Sequence, residues 1–316
     1  IADATDAALL GALAIAGREE AERWGSERAH VTFVAMGRYG GRECSYASDA
    51  DVIALHEPVG GTSDSEAAAS ATAIVNRVKK LLGSATSQLG IVVDLDLRPE
   101  GKNGPMSRTI ASHEEYAQRW SSTWERQAAV RARPIGSSDL DERARALFES
   151  MAYREVSESE VRDIRLLKAR MENERLPRGS EPARHVKLGP GGLSDVEWTI
   201  QLIQMRHGAR LPALRTPSTT RAIAVARDAG LLAAPDAEIL LNAWDLATRI
   251  RAGNTLATGR MSGVKLDVLP RDSAELSALA AILGYGSGGL TALEEDWLRA
   301  ARQARNVMER AFWEQQ

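Results

Sequence analysis

An α/β domain followed by an all-α domain is the fold class this sequence predicts, and three observations predict it. Two β-branched and apolar runs, Val31 to Met36 and Asp51 to Leu55, are followed by a third, Gly90 to Leu97. Beyond Pro134 no convincing strand run remains apart from brief stretches around His185 to Leu188 and Val264 to Leu269. From there apolar residues recur at three and four positions. At roughly 150 residues per domain, a chain of 316 residues makes about two domains, each large enough for a core.

The elements follow in order. Residues 5–23 place Leu9, Leu10, Leu13, Ile15 and Ala16 ahead of a charged turn and predict an amphipathic helix. The first strand run stops at Gly37, and the second ends at His56, Glu57 and Pro58. Gly60 to Ser65 is a turn-rich loop, and Ala67 to Leu82 has helical spacing through Ile74, Val75, Val78 and Leu82. Pro99 stops the third strand run. The predicted domains are therefore 1–135, a small sheet with helices, and 136–316, a helical bundle punctuated from the first by Gly136, Ser137 and Ser138. Its predicted helices are Ala144–Tyr153, Val161–Glu174, Asp195–His207, Thr219–Ala229, Pro235–Ala252, Ser273–Leu283 and Thr291–Trp313, the last striped by Trp297, Ala301, Ala304, Met308 and Phe312.

Composition excludes several classes. Hydrophobic residues make up 44%, and 40 Lys plus Arg balance 43 Asp plus Glu, which argues against disorder and against a polybasic nucleic-acid surface. The longest uncharged stretch, between Glu275 and Glu294, is interrupted by Gly284, Tyr285, Gly286, Ser287, Gly288 and Gly289 and makes a poor membrane helix. The single cysteine, Cys44, excludes an internal disulfide framework and a Cys-rich zinc site, and fits a reducing cytosol. The chain begins at Ile1 with nothing resembling a signal peptide, so it is expected to be part of a longer cytoplasmic polypeptide.

One constellation carries chemistry. The first strand enters Gly37-Arg-Tyr-Gly-Gly-Arg-Glu43, and a turn with Ser45 and Ser48 leads to Asp49-Ala-Asp51. Residues two apart on a strand project from one face about 7 Å apart, so two carboxylates can aim at one place. Mg²⁺ prefers such oxygen ligands together with substrate phosphates. Glycines 37, 40 and 41 allow close backbone approach to an anion, and a helix starting there would present its N-terminus. Asp-x-Asp also occurs at Asp94 with Asp96 on the third strand run, and at Asp139 with Asp141, where helix capping is the reading. Taken alone, the glycine pattern is equally a tight turn into a solvated segment.

The run Gly-Arg-Tyr-Gly-Gly-Arg-Glu-Cys-Ser-Tyr-Ala-Ser-Asp-Ala-Asp-Val at 37–52 resembles the signature of the glutamine synthetase adenylyltransferase (glutamate-ammonia-ligase adenylyltransferase) family. Val93-Asp-Leu-Asp-Leu-Arg-Pro-Glu-Gly101 resembles its third-carboxylate strand. Trp124-Glu-Arg-Gln-Ala-Ala-Val-Arg-Ala-Arg133 and Val186-Lys-Leu-Gly-Pro-Gly-Gly-Leu-Ser-Asp-Val-Glu197 resemble two downstream motifs in the family's order. The resemblance implies a polymerase-β-like nucleotidyltransferase domain ahead of the helical bundle. The family pairs two such halves, one adding AMP to glutamine synthetase and one removing it, and this chain looks more like the C-terminal, adenylylating half. The other half of the parent polypeptide and a PII signalling protein are then expected partners.

By the same resemblance Asp49 and Asp51 match the metal-binding pair and Asp94 the third carboxylate, with two Mg²⁺ ions and ATP as substrate. Asp94 is also the candidate to orient or deprotonate the incoming tyrosine hydroxyl. Asp96 departs from the commoner pattern and is read as a ligand, a residue behind the ligands or a solvated neighbour, with Asp94 favoured. Gly40, Gly41 and Ser48 would line the phosphates, with Arg42, Arg98 or Lys102 as charge partners. Arg126, Arg131 and Arg133 are read either as nucleotide contacts or as ion pairs. Lys187, Asp195 and Glu197 are secondary candidates, against a plain reading of Asp195 as a first-turn acid. The five histidines show no ligand spacing.

Overall fold

The computed structural model describes residues 1–46, 48–83, 90–177, 179–286 and 289–314. Ala47 of the glycine-rich motif, and Ser287 and Gly288 of the uncharged stretch, lie outside the described residues. The fold is mixed α/β and divides into two compact units. The first comprises Ile1–Cys44, Ser48–Arg154 and Thr216–Ser218; the second comprises Ser45–Ala47, Glu155–Arg215 and Thr219–Gln316.

In the first unit, α1 (Ala2–Trp24) precedes β1 (Ala29–Ala35), a single helical turn α2 (Gly37–Gly40), β2 (Ala50–Pro58) and α3 (Asp64–Leu82). Next come β3 (Val93–Asp94), β4 (Ser107–Thr109), α4 (Ile110–Arg119), α5 (Thr123–Ala129), β5 (Arg133–Pro134) and α6 (Asp139–Ala152). The sheet runs β3-β2-β1-β5, and β4 also pairs with β2. β1 is antiparallel to β2 and β5, whereas β3 and β4 run parallel to β2. Phe33 and Ala35 of β1 pack with Leu9, Ala12 and Ala16 of α1 and Ile74, Val75 and Val78 of α3 in one core. Side chains alternate along a strand, so Thr32 faces the other way and donates a hydrogen bond to Asp141 of α6.

Local chemistry sets the ends. Gly25, at φ 75°, closes α1 in the left-handed region that costs glycine least. Ser63 and Glu66 form a capping box that starts α3, and Ser138 with Asp141 does the same for α6. Asp141 is therefore a cap, as its setting in the sequence implies.

Two expectations change. The run from Gly90 to Leu97 contributes only Val93–Asp94 as strand. Arg98 folds the following chain into a turn by donating to the carbonyls of Leu95, Gly104 and Lys102. The compact division also falls after Arg154 rather than near residue 136, because α6 packs onto β1 and its Phe148 meets His113 of α4 edge to face. Helix periodicity alone cannot say which core a helix joins.

In the second unit come α7 (Glu158–Glu174), α8 (Leu193–His207), α9 (Thr219–Asp228), α10 (Ala234–Thr258), α11 (Ser273–Ile282) and α12 (Gly289–Met308), the last ending in a π-turn at Glu309–Trp313. Helices α8 to α12 share a core built on Ile200, Ile223, Leu240, Trp244, Leu279, Leu293 and Trp297. The brief strand-like stretches of the sequence make only one antiparallel bridge, His185 with Val268. Among the described residues no helix is long and apolar enough to cross a membrane.

Candidate active site

β2 and β3 bring the acidic residues together. Ala50 pairs with Val93 and Asp51 with Asp94 in parallel register, so the two aspartates are direct neighbours on adjacent strands, which lie about 4.8 Å apart in any sheet. Both are half-buried. The Asp96 N–H donates to Asp94 Oδ1 at 2.6 Å and fixes that carboxylate. Asp96 itself is exposed, beyond the strand, and its carboxylate faces Lys102 Nζ at 3.3 Å and Arg98 at 3.9 Å. Geometry thus separates the two acids: Asp94 sits beside Asp51, and Asp96 is held by cations of the following turn. Asp49 is exposed one residue before β2 begins, with Ser48 half-buried beside it in the chain.

The glycines divide by role. Gly37, at φ 53°, is where an added Cβ would come 3.2 Å from Asp51 Oδ2, so the bare backbone leaves room for the carboxylate. Gly40 is a packing glycine: a Cβ there would lie 1.8 Å from the Arg131 carbonyl oxygen. At Gly41 it would lie 2.4 Å from the Arg131 guanidinium. Only one helical turn follows Gly37, so no long helix directs its N-terminus here.

The arginines that the sequence singles out hold the turn in place. Arg131 pairs with Glu43 at 2.6 Å and donates from Nε to the Gly37 carbonyl at 3.1 Å. Arg133 donates from Nε to the Gly40 carbonyl at 3.1 Å and makes a two-point contact with Asp6 at 2.9 Å. Arg126 donates to the carbonyls of Met151 and Arg154, and Arg98 to those of its own loop. Arg42, at φ 59°, pairs with Asp3 and lies 3.5 Å from Asp6. Burial pushes the Cys44 thiol up from its ordinary range, which leaves it a turn filler rather than a reactive thiolate. Asp6 carries no motif signal. Only its place in the first turns of a helix, opposite Arg133 in the fold, reveals it.

In the second unit Asp195 is buried. It accepts from Lys168 at 2.5 Å, from the Gly191 N–H at 2.8 Å and from Arg305 at 3.2 Å. Its motif glycines serve packing, since a Cβ on Gly191 would meet the Ala301 carbonyl oxygen at 1.8 Å. The Lys187 carbonyl accepts from the Ser194 N–H, and Glu197 is half-buried on α8.

Among the described residues no three His, Cys, Asp or Glu side chains converge as a ready metal cage. Asp51 and Asp94 instead form an open carboxylate pair. That donor set suits Mg²⁺, which usually takes one or two carboxylates and completes its shell with water and substrate phosphates.

Residues 1–148 match the glutamate-ammonia ligase adenylyltransferase family, and residues 165–312 match the family described as GlnD PII-uridylyltransferase. The chain belongs to the glutamate-ammonia ligase adenylyltransferase family, a family of nucleotidyltransferases. It is 44% identical over 99% of its length to the bifunctional glutamine synthetase adenylyltransferase/adenylyl-removing enzyme of Streptomyces coelicolor. It is 45% identical over 99% to that of Streptomyces avermitilis and 40% identical over 90% to that of Mycolicibacterium smegmatis. The chain spans 31%, 31% and 28% of the lengths of these three relatives.

Proposed function

We propose that this chain is one nucleotidyltransferase half that transfers AMP from ATP to a tyrosine hydroxyl of glutamine synthetase, down-regulating nitrogen assimilation. The observation that carries the reading is Asp51 beside Asp94 at the edge of the sheet, next to a glycine whose missing side chain leaves space for the Asp51 carboxylate. In this reading the sheet domain has the polymerase-β-like nucleotidyltransferase fold, and the helical bundle positions the protein substrate or relays regulation.

Asp49, Asp51 and Asp94 would hold the metal, two Mg²⁺ ions, which when bound would supply charge neutralisation for the triphosphate and a lowered pKa for the attacking hydroxyl. Asp94, oriented by the Asp96 N–H, accepts or directs the tyrosine proton. The tyrosine oxygen attacks the α-phosphorus in line, the bond from the α-phosphorus to the bridging oxygen breaks, and pyrophosphate leaves. Ser48 stays assigned to the phosphates through its hydroxyl, whereas the Gly40 and Gly41 N–H groups already donate to the carbonyls of Met36 and Gly37, so these two glycines shape the turn instead. Arg42, Arg98 and Lys102 would exchange their present partners for phosphate oxygens. A cytoplasmic location, the other half of the parent polypeptide and a PII protein complete the reading.

Incubation with unmodified glutamine synthetase and ATP labelled at the α-phosphate tests it. Label on glutamine synthetase with stoichiometric pyrophosphate supports the proposal. The relatives' names carry both activities, which favours one second reading: the opposed half, revealed by orthophosphate-dependent release of ADP from AMP-modified glutamine synthetase. Neither product, with active full-length enzyme as control, leaves a regulatory module that binds nucleotide or PII.

A further inference from the structure

We infer that Asp6, in the first turns of α1, is a positioning residue that fixes the Gly37–Glu43 turn against Asp51. The inference deepens the proposed reaction and rests on it only for the activity readout below.

Asp6 is 8% exposed, and its carboxylate is fully engaged. Oδ1 accepts from the Tyr39 hydroxyl at 2.6 Å and from Arg133 at 2.9 Å, and Oδ2 accepts from the other terminal nitrogen of Arg133 at 2.9 Å. A bidentate, charge-assisted pair of this kind fixes both distance and plane. Arg133 spends its remaining donors on the turn, with Nε on the Gly40 carbonyl at 3.1 Å and a terminal nitrogen near the Tyr39 carbonyl at 3.4 Å. The Tyr39 ring is buried under the Arg133 guanidinium, 5.5 Å from centroid to carbon. One carboxylate therefore grips the turn by two routes: directly through the Tyr39 side chain, and through Arg133 to two consecutive backbone carbonyls.

The turn cannot relax elsewhere. Gly40 is pressed against the Arg131 carbonyl, and Arg131 holds the Gly37 carbonyl from the other side. Gly37 in turn abuts Asp51. Displacement of Tyr39 and Gly40 is thus transmitted to the residue that faces the metal-binding carboxylate. Burial and the Asp6 carboxylate raise the Tyr39 phenol well above its ordinary range, so it stays a donor at any physiological pH.

Asp6→Asn and the milder Tyr39→Phe, which keeps the ring, test the inference. Amide hydrogen exchange of peptides covering residues 36–43 is expected to quicken about tenfold in Asp6→Asn and severalfold in Tyr39→Phe, with α3 and α10 unchanged. Glu19→Gln, which breaks the exposed 2.6 Å pair between α1 and Arg77 of α3, serves as control and leaves the turn's exchange unaltered. Per folded molecule, kcat for AMP transfer falls about tenfold in Asp6→Asn with KM for ATP within about twofold, because the acids are misaligned rather than lost. Unchanged exchange at 36–43 in both variants overturns the inference. So does a uniform rise across the unit in both, which would make Asp6 a general anchor. A wild-type chain without activity overturns the proposed function alone, since exchange decides the role of Asp6 independently.

Discussion

Asp51 and Asp94 stand side by side across the parallel junction of β2 and β3, although 43 positions separate them in the chain. That pairing, rather than the Asp-x-Asp spacing, defines the acidic centre, and it makes unequal demands on the four aspartates nearby.

Asp94→Asn is expected to lower kcat for AMP transfer by about a thousandfold, because the substitution removes the charge at the strand pair while keeping the shape. Asp96→Asn is expected to stay within about threefold, since its carboxylate faces exposed Lys102 and the Arg98 loop. Steady-state kinetics with labelled ATP, normalised to folded protein, distinguishes the two. Equal losses would show that both acids act at the reacting centre.

The glycines predict a contrast in stability. Gly40→Ala places a methyl group 1.8 Å from a backbone carbonyl oxygen and is expected to cost about 3 kcal/mol or more, because two backbone segments must part. Gly25→Ala, at φ 75° with nothing within 4 Å, carries only the left-handed backbone cost of about 1 to 2 kcal/mol. Urea unfolding midpoints of the two variants would rank them.

The helical unit hides a charge pair whose halves depend on each other. Lys168 and Asp195 are each 1% exposed, so Asp195→Asn leaves the buried ammonium with Glu172, at 3.2 Å, as its remaining carboxylate partner and is expected to cost about 3 kcal/mol. The double variant Lys168→Met, Asp195→Leu removes both charges and is expected to recover about half of that, leaving the Gly191 N–H without its acceptor. A double-mutant cycle in urea supplies the test. Equal stability of the single and double variants would show that the pair contributes nothing as a pair.

His113 predicts a pH dependence. Burial, reinforced by Arg108, depresses its pKa to about 4 from 6.5, and its ring lies against Phe148. The unfolded chain therefore binds this proton first as pH falls. The stability it allows is complete above about pH 6.5, declines as pH drops toward 4 and is level below, a loss of order 3 kcal/mol. His113→Leu is expected to flatten the fall in unfolding free energy between pH 7 and 5, measured by urea denaturation. A slope identical to wild type would assign the acid sensitivity to other groups, His56 and His185 among them, whose pKa values burial also lowers.

The long strands and helices were legible because each carries its own pattern. β1 and β2, of seven and nine residues, form around the runs Val31 to Met36 and Asp51 to Leu55, and α12 carries the stripe of Trp297, Ala301, Ala304 and Met308. β4 and β5 were not legible. Ser107–Thr109 and Arg133–Pro134 have no strand signature, and only partners far along the chain make them strands. At the site, Asp51 and Asp94 stood out as acids at strand positions, whereas Gly40 and Gly41 read as anion-binding glycines and prove to be packed against Arg131. Carboxylates announce themselves by type. A close approach between two backbones leaves no mark beyond the missing side chain.

The bracing of the turn by Arg131 and Arg133 also dictates an order of events. The hydrogen bonds to the carbonyls of Gly37 and Gly40 span 94 and 93 residues, so a chain growing from its N-terminus carries the glycine motif long before its supports exist. Until residue 133 has been made and β5 has zipped onto β1, the loop beside Asp51 is an unfinished tether. Catalytic competence in this half is a late milestone of its biosynthesis, reached well after the aspartate at position 51 has left the ribosome.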